Sequence, residues 1–153
     1  LHRWRFNLVT GQTSEQRLDD RTLEFGMINQ RYAGHHYRYI YSAVQVPGWF
    51  LFNGYVKHDL LTGESWQIAL PDGQYASEAP FAPRINAVDE DDGYLVTFIT
   101  NENTQRSEAL LIDCKRFAEG PVCRIELPHK LCSGTHACWA NGADVRDGLL
   151  SLP

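Results

Sequence analysis

Residues 128–142, PHKLCSGTHACWANG, place His129 and His136 beside Cys132 and Cys138, with Cys123 a few positions upstream. Imidazole and thiolate are common ligands of transition metals, so metal chemistry is the first possibility this stretch raises. The spacing argues against a zinc site built on the cysteines. From Cys123 through His129, Cys132, His136 and Cys138 the intervening residues number five, two, three and one, whereas zinc knuckles use closely paired cysteines. Cys123 lies in an alternating polar–apolar run, which predicts a strand carrying a buried free thiol, and the cysteines read as packing residues. Ser133 lies near His136, but no G-x-S-x-G elbow or orienting acid accompanies it, which argues against serine hydrolysis. Adjacent strand residues point to opposite faces, so at most one of His35 and His36 could reach a site, and a loop or surface placement is expected. His58, beside Asp59, predicts a packing role, and His2 and His129 have no supporting context. The acidic run DEDDG (89–93) lacks the spaced oxygen ligands and distal glutamate of a calcium loop and predicts a hairpin tip. Cluster density alone does not choose the ligand.

An internal repeat says what must position it. WRFNLVTGQTSEQRL (4–18), YVKHDLLTGESWQIAL (55–70) and ALLIDCKRFAEGPVCRIELP (109–128) align. Each is an apolar strand ending in Asn7, Asp59 or Asp113, then a turn, then a second strand. The anchors are spaced by 52 and 54 residues. Between them, YRYIYSAV (37–44), GWFLF (48–52) and YLVTFIT (94–100) are short and rich in aromatic and β-branched residues, which predicts strands. No segment carries a sustained helical period, so the chain is expected to be all-β. Units of about 50 residues with roughly four strands are the mark of β-propeller blades. Trp4, Trp49 and Trp66 fall at strand positions and are expected in the inter-blade core.

In a propeller the innermost strands converge on one axis, so the segment after each hairpin matters most. Those segments hold Glu24, Glu78 and His136, seventeen, nineteen and twenty-three residues beyond their anchors. A histidine that binds metal through one nitrogen while donating the other N–H to a carboxylate is a common way to build such a site.

The remaining numbers bound the possibilities. With 153 residues and 43% hydrophobic content the chain can build one sizeable core, with no internal domain boundary over 1–153. A net charge of −5 without basic runs speaks against nucleic acid as a partner. No stretch approaches the roughly 18 apolar residues of a membrane span. Unpaired cysteines beside an ordinary core favour a reducing, cytoplasmic setting. The chain opens on Leu1 inside a repeat unit and holds about three units, where closure takes roughly four to eight. It therefore reads as part of a larger propeller, with a self-contained β-sandwich as the alternative.

The same residues resemble the carotenoid cleavage oxygenase family, which includes lignostilbene dioxygenases and retinoid isomerohydrolases. The likeness runs through LHRWRFNLVTG, LEFGMIN, GYVKHDLLTG, EAPFAPR, EDDGYLVTF and LPHKLCSGTHACW, in that order. It implies a seven-bladed propeller with an axial Fe(II) held by four histidines, three of which donate to glutamates. His136 then matches the last of the four histidines. Glu24 and Glu78 match two of the three glutamates, and the other ligands lie outside this chain. Two departures stand out. Glu24-Phe25-Gly26-Met27 replaces a frequent Glu-Phe-Pro-Arg, and Gly134-Thr135 precedes the histidine where Gly-Phe is frequent. The implied activity is O2-dependent cleavage of an alkene bond in an apolar carotenoid, apocarotenoid or stilbene, giving two carbonyl products. The alternative is a non-catalytic β fragment with a binding or structural role.

Overall fold

The computed structural model describes residues 1–132 and 134–150, so Ser133 lies outside the described residues. Strands β1 (His2–Phe6) and β2 (Thr13–Arg17) form a hairpin. Strands β3 (Leu23–Met27), β4 (Tyr39–Gln45), β5 (Phe52–Asp59) and β6 (Ser65–Ala69) form a four-stranded antiparallel meander. The next sheet opens with two short strands, β7 (Gln74–Ala76) and β8 (Phe81–Pro83), both paired with β9 (Gly93–Asn101), and continues through β10 (Arg106–Asp113) to β11 (Pro121–Glu126). The two larger sheets are consecutive blades. The described residues are mostly β-strand, as expected, with one α-helix, α1 (Gly142–Leu150), after the last sheet. It spans nine residues, too short for a sequence period to reveal.

The repeat anchors work as turn formers. Asn7 Oδ1 accepts the N–H groups of Val9 and Thr10, Asp59 Oδ1 those of Leu61 and Thr62, and Asp113 Oδ1 that of Lys115. Such a carboxylate or amide satisfies backbone donors where the ladder stops. Gly11 and Gly63 then take φ of 71° and 80°, and each donates its N–H to the anchor's carbonyl at 2.8 Å. The expected strand at 48–52 is corrected: Gly48 has φ 79°, Val46 and Leu51 close a turn, and β5 starts at Phe52. Trp49 is therefore exposed on that turn. Trp4 is also exposed, and only Trp66 packs against the core.

The core lies between the two blades. Tyr41, Phe52 and Tyr55 of one meet Phe81, Leu95, Ile99, Leu110 and Phe117 of the other. Burial of each large apolar side chain contributes about 1.5–3 kcal/mol. Tyr41 stacks on Phe81 at 5.8 Å, and the Tyr55 hydroxyl donates to the Ser77 carbonyl at 2.6 Å. The acidic run is indeed the β8–β9 tip, but its carboxylates are engaged one by one. Asp89 meets Lys115, Glu90 accepts the N–H groups of Arg38 and Tyr39, Asp91 meets Lys57, and Asp92 meets Arg84. Two of these contacts, Glu90 to β4 and Asp91 to β5, lock one blade to the next. The packing expectation for the cysteines holds only for Cys114. Cys123, Cys132 and Cys138 are exposed, because β11 is an edge strand and residues 127–132 and 134–141 lie outside the sheets.

Candidate metal-ligand site

Each blade begins with an interrupted strand, and each interruption carries a glutamate. In β3 the register runs Leu23↔Val44, Glu24↔Ala43 and then Met27↔Tyr41, so Phe25 and Gly26 together oppose Ser42. That is a bulge immediately after Glu24. In the next blade β7 stops at Ala76 and β8 resumes at Phe81, with 77–80 facing 96–98 of β9. Ser77 and Phe98 hold the near side of this gap and Pro80 and Val96 the far side. Glu78 sits inside it. The 54-residue step from Asp59 to Asp113 also separates Glu24 from Glu78. Bulges re-aim side chains that a regular pleat would point elsewhere, and they gather next to functional sites.

The two glutamates differ in what they reach. Glu78 is buried, and its Oε2 accepts the Ala137 N–H and lies 3.5 Å from His136 Nδ1. Residues 58 apart in sequence are thus brought together. Glu24 is exposed, and its side chain makes no hydrogen bond or ion pair among the described residues. Its neighbour Phe25 does reach the site: its ring meets the His136 imidazole edge-on at 5.8 Å, with Phe50 and Phe52 behind it. Phe25 was not singled out by sequence reasoning beyond its place in the motif. The contact signal was its position directly after a candidate acid.

His136 follows β11 in a stretch without strand pairing, and its side chain is 80% exposed. With Nδ1 turned to Glu78, Nε2 is the atom left to bind. Among the described residues no three histidine, cysteine or acidic side chains gather as a metal site, so His136 stands as a single candidate ligand. Its donor chemistry suits a metal that takes imidazole, and the carboxylate behind Nδ1 suits the tautomer that leaves Nε2 free.

The most deeply buried histidine–carboxylate pair among the described residues is elsewhere. His58 Nε2 lies 2.6 Å from Asp19 Oδ2, both side chains nearly fully buried. Arg21 beside Asp19 holds that carboxyl well below the usual carboxylate range, with the His58 contact adding to the effect. His58 Nδ1 is buried without a partner, so no face of this imidazole opens to a ligand. The pair ties the β2–β3 connection to β5, in keeping with the packing role expected for His58. His35 and His36 lie exposed in the loop before β4.

The family described as Retinal pigment epithelial membrane protein matches residues 1–141. Carotenoid 9,10(9',10')-cleavage dioxygenase 1 of Pisum sativum is 36% identical over 151 residues, covering 90% of this chain and 28% of the relative. Lignostilbene-alpha,beta-dioxygenase isozyme III of Sphingomonas paucimobilis is 30% identical, covering 95% of this chain and 32% of the relative. The crystal structure of Pseudomonas brassicacearum lignostilbene dioxygenase superposes with a TM-score of 0.85 at 30% identity, over 92% of this chain and 32% of that one. The chain thus spans about a third or less of the proteins it matches, and its blades are part of their β-propeller.

Proposed function

This chain belongs to the Retinal pigment epithelial membrane protein family, the carotenoid cleavage oxygenases, and from that membership we propose that the whole protein is an Fe(II)-dependent dioxygenase. Its substrate would be a carotenoid, apocarotenoid or stilbene. One C=C bond and one O2 become two C=O groups, so atoms and electrons balance without a further reductant. Iron, when bound, would supply the activation of O2 that an organic side chain cannot.

The placement of this chain's residues supports the following roles. His136 holds one coordination position through Nε2. Glu78 faces the opposite nitrogen at 3.5 Å, placed to accept its N–H and so to select the tautomer. Glu24 does the same for a histidine outside this chain, where the remaining ligands lie. Phe25, Phe50 and Phe52 set an apolar wall beside the imidazole, suited to a long unsaturated chain and to excluding water. A reducing, cytoplasmic setting fits the unpaired cysteines. No helix among the described residues is long and apolar enough to cross a membrane.

The observation that carries this reading is the meeting of Glu78 and His136 across 58 residues, with Nε2 left free. The full-length protein should bind iron and convert an apocarotenoid or a stilbene to carbonyl products only when O2 is supplied. His136→Ala should lose both properties. Iron content and turnover that stay at the wild-type level in that variant would remove His136 from the role.

A further inference from the structure

We infer that Phe25 is a positioning residue for His136, an inference that rests on reading His136 as a metal ligand. His136 lies in a segment without ladder hydrogen bonds, so no sheet holds it. Among the described residues, two side chains stand against its imidazole. Glu78 faces Nδ1 at 3.5 Å, and the Phe25 ring stands edge-on at 5.8 Å with an interplanar angle of 80°. The Phe25 ring is itself wedged, 4.9 Å from Phe52 and 6.1 Å from Phe50 between centroids. Phe52 is a core residue, 1% exposed. A rigid path therefore runs from the blade core through Phe25 to the imidazole.

The backbone points the same way. Phe25 has φ 54°, inside the left-handed region that an aromatic residue occupies only at a cost. The bulge does not impose this residue. Ala79 stands at the matching position of the next blade and keeps a negative φ. Glycine would take the Phe25 conformation without strain, so what phenylalanine adds there is its ring. The division of labour is physical. A carboxylate 3.5 Å from Nδ1 selects the tautomer and the general direction of the ring, without a short hydrogen bond to hold it tightly. An aromatic edge against the imidazole removes the competing rotamers.

The test compares wild type, Phe25→Gly, Phe25→Leu, Phe25→Tyr and His136→Ala in the full-length protein, reading the rate of iron release to a chelator beside the melting temperature. Phe25→Gly relieves the backbone but gives up the ring's packing on Phe52, so it should melt lower than wild type and release iron about tenfold faster or more, with Phe25→Leu separating the lost packing from the lost aromatic edge. Phe25→Leu keeps apolar volume without an aromatic edge and should also release iron faster. Phe25→Tyr should restore wild-type retention. If Phe25→Gly and Phe25→Leu both hold iron as wild type does while His136→Ala loses it, the role of Phe25 is overturned. If His136→Ala holds iron too, the metal-ligand reading falls instead.

Discussion

The two complete blades are built on one plan, yet they treat their glutamates differently. Each opens with an interrupted strand carrying Glu24 or Glu78. Each runs Tyr39 or Tyr94 opposite Asp59 or Asp113, and each sets an arginine, Arg38 or Arg84, over that tyrosine and onto that aspartate. In the later blade Glu78 is buried and occupied by the loop that carries His136. In the earlier one Glu24 is exposed and Phe25 takes the contact with the histidine. A repeat thus fixes where a carboxylate is presented. What it then does depends on which segment lies across the bulge.

The earlier blade also replaces an apolar position with a charge. Lys57 matches Leu111 of the later blade and is buried, with Asp91 at 2.6 Å, the Cys114 carbonyl at 2.7 Å and the Tyr39 ring at 4.1 Å. Asp91→Ala leaves that ammonium enclosed without its counter-ion and should destabilise the chain by about 3–5 kcal/mol. Urea unfolding measures this, and a loss under 1 kcal/mol would mean that the blades do not depend on the lock. Asp91→Ala with Lys57→Met should recover much of the loss, because a matched apolar pair needs no counter-ion.

The contrast between the glutamates is the next largest. In this chain Glu78→Ala removes a charged acceptor from the Ala137 N–H and should cost about 1.5–3 kcal/mol. Glu24→Ala should stay within about 0.5 kcal/mol, as exposed substitutions do. Equal melting shifts for the two variants would erase the distinction. On the proposed function, both should weaken iron retention in the full-length protein.

Acid should expose the smallest difference. Arg38, followed by the Leu61 and Thr62 N–H groups, holds the Asp59 carboxyl well below the ordinary 3.8, and Arg21 does the same for Asp19. Both groups bind protons less readily folded than unfolded. Their contribution is whole above pH 3.8 and is lost progressively as pH falls below it. Melting temperatures between pH 6 and pH 3 should fall more steeply for the wild type than for Asp59→Asn, which is already weaker at neutral pH. Parallel curves would show that the Asp59 pair carries none of the acid lability.

Much of the blade plan was legible in the sequence because it is local. A strand of alternating faces, an Asn or Asp at its end and a glycine four residues on specify a hairpin with few long-range contacts, and Asn7–Gly11 and Asp59–Gly63 obey that rule. The candidate residues were legible only by type and place: His136, Glu24 and Glu78 fall at matching positions in the repeat. The exposure of Cys123, Trp4 and Trp49 was not legible. Burial depends on which sheet edge or turn a residue occupies, and the residue's own hydrophobicity does not report that. Nor were the separate partners of Asp89, Glu90, Asp91 and Asp92 legible, since each lies on a different element.

By itself, then, the sequence determined the hairpins, the blade period and which side chains could bind or support a metal, all through spacing and backbone preference. Tertiary structure decided that Glu78 meets His136 and Glu24 does not, and that Phe25 stands against the imidazole. Those contacts join residues dozens of positions apart. They exist only where two bulges turn the chain out of the regular pleat, against a core that holds them there.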